Sequence, residues 1–140
     1  GSFKIKFNEL NNKLLKSGEI SLNIKEKKIN LKESRFNLGK IGTLKTKIKF
    51  IEKEGEIIFF SNNMLDIINH IEFAKIFQIG SNKAKNINRI YFDLKKNIGD
   101  NQITISNVRI NSSDNNVDAD NFFIIKNIQN LRASIRKIID

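Results

Sequence analysis

Apolar residues recur at every second position over window after window of this chain. A period of two is the signature of a half-buried β-strand, whose successive side chains point to opposite faces. Leu44, Thr46, Ile48 and Phe50 alternate with Lys45, Lys47 and Lys49, which gives a strand with one apolar face and one lysine face. Phe3, Ile5 and Phe7 open an earlier strand, and Ile20, Leu22 and Ile24 make the next, ending in a charged turn over Lys25–Lys28. Ile29 and Leu31, then Phe36 and Leu38, read as one strand whose register shifts through a bulge near residues 32–35. Lys53-Glu54-Gly55-Glu56 reads as a hairpin turn in which Gly55 supplies the positive φ, with Ile57–Phe60 returning as a strand.

After Ser61-Asn62-Asn63 the period lengthens toward 3.6. Met64, Leu65, Ile67, Ile68, Ile71, Ala74 and Phe77 then predict one side of a helix from Asn63 to Ile79, stopped by Gly80. Ile87, Ile90, Phe92 and Leu94 predict a strand, and Ile103, Ile105, Val108 and Ile110 another with a one-residue slip at Asn107. Asn127 reads as the N-cap of a last helix carrying Ile128, Leu131, Ile135 and Ile138, with Arg132, Arg136 and Lys137 opposite. The expected class is α+β: about seven mostly antiparallel strands in a curved sheet with a groove, one inserted helix and one C-terminal helix. Gly1 and Ser2 read as an expression-tag scar, and residues 3–140 as a single domain excised from a longer chain.

The 140 residues contain no Cys, Pro or Trp, and one His, so disulfide frameworks, thiolate metal sites and cysteine nucleophiles are excluded. No apolar run exceeds four residues, which rules out a membrane-spanning helix and a signal-peptide core within this stretch. The net charge of +10 comes from 20 Lys and only 5 Arg. Ile, Asn and Lys, all A/T-rich in their codons, make up 67 of the 140 residues, so the basic charge follows from composition rather than from a nucleic-acid surface. Lysines still attract an anionic membrane surface without needing the two-pronged grip of arginine.

No constellation carries a strong chemical signal. His70 lacks a second imidazole or a thiolate for zinc, and Ser61, Asp66 and His70 lack the turn that presents a nucleophile. The run Asp114–Asp120 alternates oxygen ligands like a calcium loop, but Ala119 and Ile125 stand where the glycine and the bidentate glutamate belong. Gly39-Lys40-Ile41-Gly42-Thr43 has the wrong spacing for a phosphate loop. The residues therefore predict no catalytic, metal or cofactor site. In the pairs Phe59-Phe60 and Phe122-Phe123 adjacent rings point to opposite faces if extended, so one ring of each needs a cover.

The run from Gly18 to Ile24 (Gly-Glu-Ile-Ser-Leu-Asn-Ile), followed by Ile29 to Leu44 and the lysine-rich strand to Phe50, resembles the C-terminal region of AsmA-like proteins. These belong to the wider group that includes TamB and YhdP. The likeness covers residues 17–110 and consists of strand and turn pattern. It implies a non-catalytic segment of an inner-membrane-anchored periplasmic protein, whose apolar β-groove guides phospholipid acyl chains in lipid transport and outer-membrane maintenance. Under that reading Ile48, Phe50, Ile57, Phe59, Ile90 and Phe92 line the groove, and Met64, Ile67, Ile68, Ile71 and Phe77 form the helix that caps it. The partners are then acyl chains and the rest of the parent chain. The alternatives are a structural or interaction module with a closed core, cytoplasmic if the resemblance does not hold, and a weakly binding basic sheet with no specific nucleic acid.

Overall fold

The computed structural model describes residues 2–7, 17–25, 28–31, 33–99, 102–112, 122–125 and 128–139. The calcium-like run Asp114–Asp120 and the expected cap Asn127 lie outside them. The elements in chain order are β1 (Ser2–Phe7), β2 (Ser17–Lys25), β3 (Lys28–Leu31), β4 (Glu33–Asn37), β5 (Gly42–Lys53), β6 (Glu56–Ile67), α1 (His70–Phe77), α2 (Ser81–Ala84), β7 (Arg89–Asn97), β8 (Ile103–Ile110), β9 (Phe122–Ile125) and α3 (Ile128–Ile139). All strands join one open, curved, antiparallel sheet in the order β1-β2-β4-β5-β6-β7-β8-β9, with β3 also paired to β2.

Apart from β3 and β4, which both lie against β2, each strand pairs with its chain neighbour. β3 and β4 share the partner β2, but Leu22 faces Leu31 while Gly18 faces Phe36, a shift of one residue. That is the bulge expected from the sequence, so β3 and β4 act as one interrupted strand. The strand beyond the expected seven is β9, which extends β8 from Ile103 facing Ile125 to Ser106 facing Phe122. The longest ladder runs from Gly42–Ile67 to Lys53–Glu56, closed by Glu54 and Gly55 at φ 55° and 78°. Two positive-φ residues in a two-residue turn match the right-handed twist of the strands they join.

The inserted helix is shorter than the sequence predicts. β6 continues to Ile67, and α1 begins only at His70, with the Asn69 side chain accepting from the backbone N–H groups of Ile71 and Glu72. The inward positions of β6 are Ser61, Asn63, Leu65 and Ile67, all buried. Two of these four are polar, so hydrophobic spacing hid the alternation. Their polar groups are satisfied locally: the Asn63 amide donates to Ser61 Oγ at 2.9 Å and to the Phe92 carbonyl at 3.3 Å. Pairing on both edges then outweighs local pattern. Met64 and Ile67 therefore belong to a strand, Ile68 to the connection, and Ile71 to the outer side of α1, with Ile68 and Ile71 71% and 66% exposed. Of the five proposed capping residues, Phe77 alone is a buried helix residue, beside Phe73 and Ala74. Gln78, at φ 56°, takes the left-handed closing position just ahead of Gly80.

The core forms where α1, α2 and α3 lie on one end of one sheet face. Phe73 and Ala84 are fully buried there, with Ile41, Ile67, Ile87 and Ile90 around them. Burial falls away along β5: Thr46 is 4% exposed, Leu44 and Ile48 are half-buried, and Phe50 is 47% exposed. The alternation predicted for β5 is in phase, but Phe50 lies beyond the helices and is not buried.

A carboxylate on the other face pins the centre of the sheet. The β7–β8 register shifts between Tyr91 and Asp93, and Asn107 opposite the shift adopts φ 51°, where the sequence placed its slip. Asp93, 8% exposed, accepts at 2.7 Å from the Asn62 amide through Oδ1 and at 2.7 Å from the Asn107 amide through Oδ2. Asp93→Ala is expected to cost about 1.5 kcal/mol, the low end for lost hydrogen bonds to a charged group, because the exposed Asn62 and Asn107 amides can turn to water. Asp93→Asn should cost a similar amount, since one donor would then face another. Urea midpoints unchanged in both variants would mean that the carboxylate carries no structural role.

A candidate apolar pocket under the C-terminal helix

Cross-strand partners share a face, so the register assigns the lining of the covered side. Leu44, Leu65 and Ile90 form one row, and Thr46, Asn63 and Phe92 the next. A partly open pocket of about 160 Å³ lies over these rows. Leu44, Leu65, Ile90, Phe92, Ile105 and Val108 make its sheet wall, and Leu38 closes the β4 side. Phe77 of α1 and Leu131, Ser134 and Ile135 of α3 make the opposite wall. Among the described lining residues Ser134 alone has a polar side chain, and its hydroxyl donates to the Asn130 carbonyl of its own helix at 2.8 Å. The described lining therefore offers apolar surface and no unpaired side-chain donor.

The wall on α3 follows from helical spacing. Leu131 and Ile135, four residues apart, stand on one side and with Ile139 pack against the core. Arg132, expected on the solvent side, instead sends Nε to the Ile76 carbonyl at 2.8 Å. Ile76 belongs to the last turn of α1, where carbonyls lack intrahelical donors and a cation is favoured. This contact joins α3 to α1 beside the pocket.

The six proposed groove residues divide into two groups. Ile90 and Phe92 line the pocket. Ile48, Phe50, Ile57 and Phe59 continue along the same sheet face beyond the helices, where Phe50 and Phe59 meet edge to face at 5.6 Å and Ile57 is 48% exposed. Sequence reasoning missed Leu38, Leu44, Leu65, Ile105 and Val108 as lining residues, and it placed Leu131 and Ile135 only on a helix. The missing signal was topological: which end of the sheet α3 returns to cannot be read from periodicity.

The residues considered for chemistry do not converge. Ser61 points to the covered face and is 2% exposed, while Asp66, of opposite parity on β6, pairs with Arg89 at 3.5 Å on the other face. His70 Nε2 lies 3.2 Å from Asn88 Oδ1 at the start of α1. Among the described residues no group of three or more His, Asp or Glu stands close enough to hold a metal ion, and no helix is long and apolar enough to cross a membrane. The Arg89 guanidinium is held above its usual pKa by a hydrogen bond with Tyr91 and then by the Asp66 charge. No protein family, curated protein or solved structure matches this chain.

Proposed function

We propose that the domain is a non-catalytic binding unit whose pocket receives the end of a phospholipid acyl chain. It would act within a periplasmic, inner-membrane-tethered protein that supports phospholipid transport and outer-membrane maintenance. The observation that carries the reading is the described lining: ten apolar residues and one hydroxyl turned back on its own helix. A partly open apolar pocket of this volume has room for a benzene-sized group, so it fits a chain terminus rather than a whole lipid. Val108→Phe, which grows a ring into the space, tests this by titration with a fluorescent phospholipid. Binding by the unsubstituted protein and its loss in a folded Val108→Phe variant are expected. Equal binding by both would remove the pocket from the account.

A second reading, a structural or interaction module with a closed core, draws on the far end of the same sheet face. Phe50, Ile57 and Ile98 are 47%, 48% and 53% exposed there, with Lys96 beside Phe59 in the register. Such a patch suits contact with the rest of a parent chain. Nucleic-acid binding has less support, because two described aromatic rings of the uncovered face lie under cations: Lys49 Nζ is 4.9 Å from the Phe60 centroid, and Arg109 stands 5.5 Å from that of Tyr91. Affinity for duplex DNA should be weak, indifferent to sequence and lost steeply as salt rises. Sequence-selective retention at physiological salt in a gel-shift assay would contradict that expectation.

A further inference from the structure

The apolar pocket has a floor, and the burial of its lining residues locates it. Leu65, Phe77, Ile90 and Val108 are 7%, 4%, 5% and 8% exposed, while Leu44, Phe92, Ile105, Leu131 and Ile135 around them are half-buried. Behind this floor the core is filled. Phe73 and Ala84 are fully buried without lining the pocket, and the Phe73 ring backs Phe77 at 5.0 Å between centroids. A chain that reaches Phe77 and Ile90 therefore meets close-packed side chains and no further apolar space.

Nor does the pocket run on along the two central strands. Register places Thr46 and Asn63 beside Phe92, and Ser61 beside Leu94 and Ile105 in the next row. Thr46, Asn63 and Ser61 are 4%, 7% and 2% exposed, and the Asn63 amide is tied to Ser61 Oγ and the Phe92 carbonyl. They stand between Leu44 and Leu65 on the pocket side and Phe50 and Phe59 farther along β5 and β6. An alkyl chain laid across this belt would cover hydroxyl and amide groups and gain little. The hollow between the turns at Gly55 and Gly99 shares no lining residue with the pocket.

We propose that the pocket is a closed socket for the free methyl end of one unbranched alkyl chain, with a fixed depth that leaves the rest of the amphiphile outside. The proposal rests on the acyl-chain reading and adds the depth limit to it. An apolar cavity of about 150 Å³ holds benzene, and methylenes are bulkier than aromatic CH groups, so about 160 Å³ seats about five chain carbons. Selection is then by the chain end: a straight alkyl terminus fits whatever polar group it carries, and a fused ring system does not.

The test is an NMR titration of the ¹⁵N-labelled protein with alkyl phosphocholines of increasing chain length, roughly three to ten carbons, each below its micelle-forming concentration. Affinity is expected to rise about three- to fourfold with each added carbon up to about five, and less than about twofold per carbon beyond, where a methylene touches at most one wall. Leu65→Ala deepens the floor and should carry the steep part on by about two carbons. Ile90→Val, which disturbs the core less, should carry it on by about one. Leu131→Ala, at the rim, should weaken every member of the series and leave the break in place. Urea melts confirm that each variant is folded. A slope that stays steep through the longest chain, or a break that neither floor variant moves, would overturn the depth limit and leave acyl-chain binding standing. No binding at any length would overturn both.

Discussion

Gly42→Ala is expected to cost more than about 3 kcal/mol, a Tm fall of roughly 9 °C or more, because the added methyl has nowhere to go. Gly42 is buried at φ 155°, and a Cβ built there overlaps the Asp66 carbonyl oxygen, with the Asp66 carbonyl carbon at 3.0 Å and the Ile68 nitrogen at 3.1 Å. These are backbone atoms at the end of β6, and they cannot swing aside. Asp66 is paired with Thr43 on one edge and Arg89 on the other, while the Ile68 and Asn69 amides donate to the Ile41 carbonyl at 2.7 and 3.1 Å. The substitution would therefore part the strand from the turn into α1. Gly55→Ala is the control: its φ is 78°, but nothing lies within 4 Å, so only the strain of about 1 kcal/mol should appear. Urea melts that place the two variants within error of each other would contradict the close packing at the β5–β6 end.

Phe73→Ala should cost about 3–5 kcal/mol, since the ring is fully buried and stacks at 5.0 Å against Phe77 in the centre of the core. Ile71→Ala should cost less than about 0.5 kcal/mol, since that side chain is 66% exposed. The pair discriminates between two helices written in the same residues. A helix over 63–79 with Ile67, Ile68 and Ile71 inward would make Ile71 the costly position and is contradicted if the loss falls on Phe73. Equal and large losses at both positions would require a second surface packed over Ile71.

The legibility of the chain followed the strength of its alternation. The β5–β6 hairpin, the bulge between β3 and β4, the slip at Asn107 and the α+β class were readable because period-two spacing and turn residues agreed at each place. β6 past Phe60 was not, because Ser61 and Asn63 occupy inward positions that a hydrophobic count scores as surface. Their burial depends on partners from Phe92 and from each other, which exist only after β7 has docked. The pocket was half-visible: Ile90 and Phe92 stood out by alternation, while Val108, Leu131 and Ile135 joined them through the return of α3 to the Gly42 end of the sheet.

The most direct test of the central reading is a photo-crosslinking residue placed at Phe92, inside the apolar pocket, and separately at Met64, on the opposite face of the same sheet, in protein expressed in bacterial cells. A phospholipid adduct at Phe92 and none at Met64 is the predicted result. Crosslinks from Phe92 confined to the chain itself, or lipid adducts equally frequent at both positions, would contradict it.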